Sequence, residues 1–277
     1  MLVDDSILYL ANTNVSNLLQ LIDLNKKEII GEFVPFGSAP QEAVNISRIQ
    51  KKMNYLYLYD MGQLRLNRFE LGLNNVLSYE KAIQFDSAFD DVIVLSDTLC
   101  VALVLDSEMK RLSYFQDGKF VKTVGEYPEI KGRGLTGLEK IEGIASSLVS
   151  SDDAKRIALV YKNTDLIDIY DIEGVLIKRI HGPDCFLPDV STKTLGEYKK
   201  VTSESGKSRD AYFSPVSMED GIAVLYSGKV YNHQKADYLM EWILVFDWEG
   251  NPVKRYKLEH PIFCFSIDAN KIIYGIT

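Results

Sequence analysis

Residues 242–258, Trp242 to Leu258, read WILVFDWEGNPVKRYKL. Alternation places Ile243, Val245 and the ring of Trp248 on one face of a strand, with Leu244 and Phe246 on the other. Asp247-Trp248-Glu249-Gly250-Asn251-Pro252 is turn chemistry. Val253, Tyr256 and Leu258 then resume the apolar run. The stretch predicts two short antiparallel strands around a tight turn.

Working outward, copies of this unit recur. LIDL, RFEL, SYFQ, IYDI and VFDW put Asp23, Glu70, Gln116, Asp171 and Asp247 in one column, spaced by 47, 46, 55 and 76 residues. Each of these runs is a third strand. The fullest copy spans Asp91–Gly125, where DVIVLSD, LCVALVLD, RLSYFQ and KFVKTVG are punctuated by the turn Asp117-Gly118. A four-stranded unit repeating every ~40–50 residues is the mark of a β-propeller, because one such unit cannot bury both of its faces alone. Three strands can be read in the first unit, four in each of the next four, and two in the last.

The expected fold is therefore an all-β propeller in one domain, residues 1–277, six-bladed with an incomplete last blade. Five blades are the alternative. The strand Ser6–Asn12 is expected to lack an inner neighbour, and Lys271–Ile276 an outer one. Open edges aggregate, so extension beyond Thr277 would raise solubility. The polar stretch 181–211, with Pro183, Pro188, Gly196 and Gly206, is too long for an ordinary connection and reads as an irregular insertion.

Composition narrows the function classes. The net charge of −8 and pI near 5.1 exclude the basic footprint of a nucleic-acid binder. No apolar run approaches the ~20 residues of a membrane helix. Met1-Leu2-Val3-Asp4-Asp5 lacks the basic and apolar regions of an export signal. Cys100, Cys185 and Cys264 have no CxxC spacing; Cys100 and Cys264 sit in strand-like runs and read as buried small hydrophobes.

Four segments carry a family resemblance: FGSAPQE at Phe36–Glu42, VIVLSDTLCVA at Val92–Ala102, AVLYSG at Ala223–Gly228, and Ile243–Leu258 with the closing KIIYGI. Together they resemble the bacterial TolB-like six-bladed propellers over most of the chain. Ala39 stands where that pattern tends to carry Gly. The resemblance implies an exported, periplasmic or cell-surface setting and relatives that run past this chain's last residue. It brings no established activity.

Candidate chemistry is sparse. His181, His233 and His260 lie near turns without HxxxH or HExxH spacing, although Asp184 and Asp189 accompany His181. Gly132-Arg133-Gly134 lacks the third Gly of a phosphate loop. The acids of the column read as turn caps, and no cofactor is expected, with Ca2+ held by carboxylates in the central channel as the open alternative. Lys178-Arg179 and Lys254-Arg255 recur in outer strands, where charge discourages edge pairing.

The loop YSGKVYNHQKADY interrupts a regular blade and has contact-surface chemistry, amphipathic rings beside adaptable polar groups. Tyr226, Lys229, Tyr231, Asn232, His233 and Tyr238 are its candidate ligand-binding residues. The expected function is a non-enzymatic binding propeller that contacts a protein or glycan through loops on one face. The alternative is a propeller-type hydrolase or lyase with acidic and His side chains in the channel.

Overall fold

The computed structural model describes residues 1–277 except 107, 130, 131, 133, 204, 205 and 231–238. Five four-stranded sheets follow the chain as meanders, each strand beside the next. The first is β1 (Leu2–Asp4), β2 (Ile7–Ala11), β3 (Asn17–Asp23) and β4 (Glu28–Pro35). The second is β5 (Ile46–Lys52), β6 (Tyr55–Asp60), β7 (Arg65–Leu71) and β8 (Leu77–Gln84). The third is β9 (Phe89–Val94), β10 (Leu99–Val104), β11 (Leu112–Gln116) and β12 (Lys119–Val124). The fourth is β13 (Ser146–Ser150), β14 (Arg156–Tyr161), β15 (Leu166–Asp171) and β16 (Leu176–His181). A two-stranded sheet, β17 (Val190–Leu195) with β18 (Tyr198–Ser203), precedes the fifth blade. That blade is β19 (Tyr212–Met218), β20 (Gly221–Tyr226), β21 (Met240–Asp247) and β22 (Pro252–Ile262). The chain finishes in a second two-stranded sheet, β23 (Cys264–Ile267) with β24 (Ile273–Ile276).

The chain divides into two compact units. One comprises Met1–Ala102, Tyr114–Val121 and Phe265–Tyr274. Its core joins the first two blades through Tyr9, Leu19, Leu21, Ile46, Leu56, Leu58 and Phe69. The other comprises Leu103–Ser113, Lys122–Cys264 and Gly275–Thr277. Its core joins the fourth and fifth blades through Val160, Ile167, Ile169, Tyr212, Val224, Leu244, Phe246 and Trp248. No helix among the described residues is long and apolar enough to cross a membrane.

The predicted column is real at the level of strands: Asp23, Glu70, Gln116, Asp171 and Asp247 lie in β3, β7, β11, β15 and β21, the third strand of each blade. These strands are buried on both faces over most of their length, because apolar residues occupy even and odd positions alike. Outer strands such as β16 and β22 are largely exposed. The hairpin turn at Asp117-Gly118 has both residues at positive φ, 51° and 78°, as a two-residue turn matched to strand twist requires. A Cβ on Gly118 would lie 2.6 Å from Ile83 Cγ2.

Four expectations change. The first blade has its inner strand: β1 pairs Leu2 with Tyr9, Val3 with Leu8 and Asp4 with Ile7. Three residues suffice because Asp5 turns the chain with φ 49° and Val3 is buried. Trp248 packs with Leu244 and Phe246, not with Ile243 and Val245, since the parity of the strand carries through the turn. The stretch read as irregular, 181–211, folds its middle into the β17–β18 hairpin, with Val190 and Val201 buried beneath it. His260 lies inside the long outer strand β22. The last pair of strands does form a separate two-stranded sheet, and the Val3 amide donates to Ser266 Oγ at 2.9 Å.

Capping accounts for the three aspartates of the column. Asp23 Oδ1 accepts the amides of Asn25 and Lys26 at 3.0 Å each. Asp171 Oδ1 accepts Val175 N at 2.8 Å, and Asp247 Oδ1 accepts Asn251 N at 2.7 Å. Buried Asp60 accepts four backbone amides, those of Val44, Asn45, Gly62 and Gln63.

The Lys26 amide, foremost among the bonds it accepts, holds the Asp23 carboxyl below the usual range. For Asp247, burial raises the value, but hydrogen bonds from Asn251 together with the other favourable contacts lower it further. Depressed folded values make this stabilisation complete above the unfolded carboxylate pKa, ~3.9, and progressively lost as pH falls through the folded values. The melting temperature should therefore drop between pH 5 and pH 2, and Asp23→Asn with Asp247→Asn should flatten that acid limb. An unchanged limb in the double variant would contradict the capping role.

The loop Phe36–Glu42 is a closed buckle. Glu42 Oε2 accepts Ala39 N at 2.8 Å, Gln63 donates to Gly37 O at 2.8 Å, and Arg65 donates to the carbonyls of Ala39 and Glu42. These backbone groups are satisfied within the protein.

The cysteines differ in reactivity. Cys100 is buried, and burial pushes its thiol up to about 12; burial also raises half-buried Cys264. Cys185 is exposed. A thiol-disulfide reagent should modify one cysteine quickly in the native protein and all three after denaturation. Fast modification of Cys100 would contradict the packing of β10.

Candidate functional site

Tyr226 and Lys229 lie at the loop end of the fifth blade. Tyr231, Asn232, His233 and Tyr238 lie outside the described residues. Tyr226 is buried at the end of β20, and its hydroxyl donates to Asp184 Oδ2 at 2.5 Å. Lys229 is exposed; its amide donates to Ser227 Oγ at 3.2 Å, and its carbonyl accepts Asp210 N at 3.0 Å.

These contacts belong to a clamp built around Asp165, whose side chain is fully buried. Asp165 precedes β15, and its carboxylate accepts the amides of Asp184 at 3.0 Å, Cys185 at 2.6 Å and Phe186 at 3.1 Å. Three successive amides on one anion form a backbone nest, with Cys185 turned to φ 49°. The Asp165 carbonyl accepts Gly182 N at 2.6 Å and the Tyr212 hydroxyl at 3.3 Å. Thr164 Oγ1 donates to Phe186 O at 2.6 Å. Arg209 lies 3.8 Å from Asp184 and 5.5 Å from the centre of the Phe186 ring, and bridges to Val230.

Segments 181–186, 208–211 and 226–230 are thereby fixed to one another. They present Val230 (44% exposed), Lys229 and Cys185 to solvent, and Leu187 (44% exposed) directly follows Phe186.

The clamp is arranged for rigidity. Burial, then the neighbouring carboxylates, raises the hydroxyls of Tyr212 and Tyr226 far above the ordinary tyrosine value, so both act as neutral donors. His181 Nδ1 is 3.9 Å from Asp165 Oδ1, while Cys185 Sγ contacts Gly182 O at 3.5 Å. Asp184 is engaged by Tyr226 and Arg209. No group of three or more His, Cys, Asp or Glu among the described residues is placed to hold a metal ion.

Within the blades lies a second polar feature that reading the strands alone overlooks. Three residues before the column sit Gln20, Asn67, Ser113 and Asp168, all buried, with Leu244 in the fifth blade. Three of the four polar members bond across the third-to-fourth strand pairing. Gln20 bonds Glu32 at 2.8 Å, and Ser113 Oγ lies 3.4 Å from Thr123 Oγ1. Asp168 takes Arg179 in a bidentate pair, Nε at 2.6 Å and Nη2 at 2.7 Å, together with the Tyr161 and Tyr170 hydroxyls. Arg179, one of the outer-strand cations, therefore neutralises a buried acid. The signal was an isolated polar residue inside an apolar third strand, repeated in four of five copies.

Asn67 is the odd member, with neither side-chain atom hydrogen-bonded. Asn67→Leu should raise stability by about 1–3 kcal/mol, since an unpaired buried amide costs that much. Equal or lower stability by urea denaturation would show that the amide has a partner.

A family model described as TolB-like 6-blade propeller-like matches residues 1–270. The chain belongs to the TolB-like propeller family. The family's description counts six blades; among its described residues this TolB-like chain folds five four-stranded sheets and two two-stranded ones, β17–β18 and β23–β24. No curated protein matches it. Among solved structures, the WD40 domain of Neurospora crassa Pan2 superimposes with a TM-score of 0.54 at 10% identity, over 95% of this chain and 67% of that one. A functionally unknown protein from Desulfotomaculum acetoxidans gives 0.50 at 10% identity, over 99% and 73%. At such identity these likenesses concern the fold.

Proposed function

We propose that this TolB-like propeller is a non-enzymatic interaction scaffold that holds a protein partner at the loop end of its fourth and fifth blades. The Asp165 clamp carries the reading. A buried carboxylate spends its hydrogen bonds on fixing loops, and the fixed loops expose aliphatic side chains beside a lysine. Preorganised loops bind with less entropy to lose, and an exposed apolar centre with a polar rim is the make-up of a protein contact.

The test is affinity capture from extract of the source cells with wild-type protein and with Leu187→Asp/Lys229→Glu. Both substituted residues are exposed, so folding should persist. The wild type should retain a stoichiometric protein that the variant loses. Equal retention by both would place the contact elsewhere.

A further inference from the structure

Between the clamped segments 181–186 and 208–211, the chain runs out as the β17–β18 hairpin and returns. The base of the hairpin is tied down. Buried Ser208 donates from Oγ to Asp189 O at 3.0 Å. Val190 and Val201 are buried over the helical turn Glu139–Gly143, where a Cβ on Gly143 would lie 3.2 Å from Val201 Cγ1 and 3.3 Å from Val190 Cβ. The tip is open. Leu195 pairs with Tyr198 across the turn Gly196-Glu197; Gly196 has φ 65°, and an added Cβ there would meet nothing within 4 Å.

The register sorts the side chains by face. Thr192 pairs with Val201, and alternation puts Val190 on that same inner face. Lys193 pairs with Lys200 and Leu195 with Tyr198, so these four share the opposite, outward face. Leu195 is 60% exposed and Tyr198 80% exposed, and both lysines are exposed. The hairpin belongs to no blade, so core packing does not account for a large apolar pair turned outward. Its charge opposes that of the whole: three lysines, Lys193, Lys199 and Lys200, against Glu197, in a chain of net charge −8. Like charges directly opposite each other lower a hairpin's stability, and a carboxylate laid between them reverses the sign.

We propose that the β17–β18 hairpin is a prepositioned prong for an acidic face of the partner protein. Leu195 and Tyr198 enter an apolar pocket, and carboxylates at its rim pair with Lys193 and Lys200. This rests on the scaffold reading above and assigns the partner's chemistry. A tyrosine ring brings about 150–250 Å2 of contact area, and tyrosines are among the side chains that dominate protein contacts. Magnitude decides against a lipid surface: a whole myristoyl chain holds a protein only marginally, and two side chains offer less apolar area. Glu197, at the turn, would also meet a bilayer first.

The probe is a fluorescein-labelled random copolymer of glutamate and tyrosine, whose carboxylates and rings supply both halves of the contact. It is titrated with the full chain by polarisation at low salt. Polyglutamate, a copolymer of lysine and tyrosine, and vesicles of phosphatidylcholine and phosphatidylglycerol in equal parts are the comparisons. The wild type should bind the glutamate–tyrosine copolymer saturably, polyglutamate at least about tenfold more weakly, and the lysine copolymer not at all. Leu195→Ser/Tyr198→Ser and Lys193→Glu/Lys200→Glu should each weaken binding at least about tenfold. Raised salt should weaken it as well. Lys254→Glu/Arg255→Glu makes the same charge change at two exposed residues of β22 and should bind as the wild type does. All substituted residues are exposed, and unchanged melting temperatures confirm that the variants fold.

The titration contains no cellular partner, so its failure leaves the loop contact standing, and failure of the loop contact leaves the titration standing. Absence of saturable binding, equal binding of polyglutamate and the copolymer, or equal weakening by Lys254→Glu/Arg255→Glu overturns the proposal. Binding to the vesicles without binding to the copolymer assigns the prong to a membrane surface and equally overturns it.

Discussion

Arg179→Met should destabilise the protein by about 3–5 kcal/mol, because it strands a buried carboxylate. Asp168 is fully buried, and its one cation partner among the described residues is the bidentate guanidinium of Arg179 at 2.6 and 2.7 Å. The Tyr161 and Tyr170 hydroxyls, at 2.9 and 3.2 Å, would remain but bring no charge. Adding Asp168→Leu to Arg179→Met should recover much of the loss, since an apolar pair has no charge to desolvate; two tyrosine hydroxyls then lack an acceptor and limit the recovery. Urea denaturation of the two single variants and the double variant at pH 7 gives the coupling directly. A single-variant loss below about 1 kcal/mol, the scale of an exposed ion pair, would show that water reaches Asp168.

Ile169→Asp should leave no folded protein at room temperature. Ile169 is fully buried in the core that joins the fourth and fifth blades, and its side chain reaches the space beneath Gly250. A carboxylate there finds an apolar wall, and an unpaired buried charge exceeds the usual net stability of about 5–15 kcal/mol unless it takes up a proton or the core opens. Val175→Asp is the control: it lies in the same blade, just before β16, but is 61% exposed, and its melting temperature should stay within a few degrees of the wild type. Circular dichroism melting compares them. A cooperative, wild-type-like transition for Ile169→Asp would remove that residue from the core.

The blade repeat was legible because third strands combine a β-branched, aromatic run with an acid at the turn in four of five copies, and that unit recurs at a base spacing of 46–47 residues lengthened by insertions. The capping role of Asp23, Asp171 and Asp247 was legible for the same reason, since their hydrogen bonds are local. Asp165 was not. Its partners, the amides of Asp184, Cys185 and Phe186, come 19 to 21 residues later, and nothing in Asn163-Thr164-Asp165 marks that closure.

The β17–β18 hairpin was missed because Ser191-Thr192-Lys193-Thr194 carries no apolar alternation; Val190 and Val201 are buried below it. Strand β1 was missed because three residues fall short of a readable period. Arg179 looked like an edge-protecting charge because sequence shows the strand it lies on and not the acid opposite it, Asp168.

Site-specific photocrosslinking tests the central claim most directly. A benzophenone amino acid is placed at Leu187, at Val230, or at Met53, which is 76% exposed on the second blade. The purified protein is then irradiated in extract of its source cells. A scaffold that holds its partner on the clamped loops should give the same discrete protein adduct from Leu187 and Val230 and none from Met53. The same adduct from all three positions, or from Met53 alone, would contradict it.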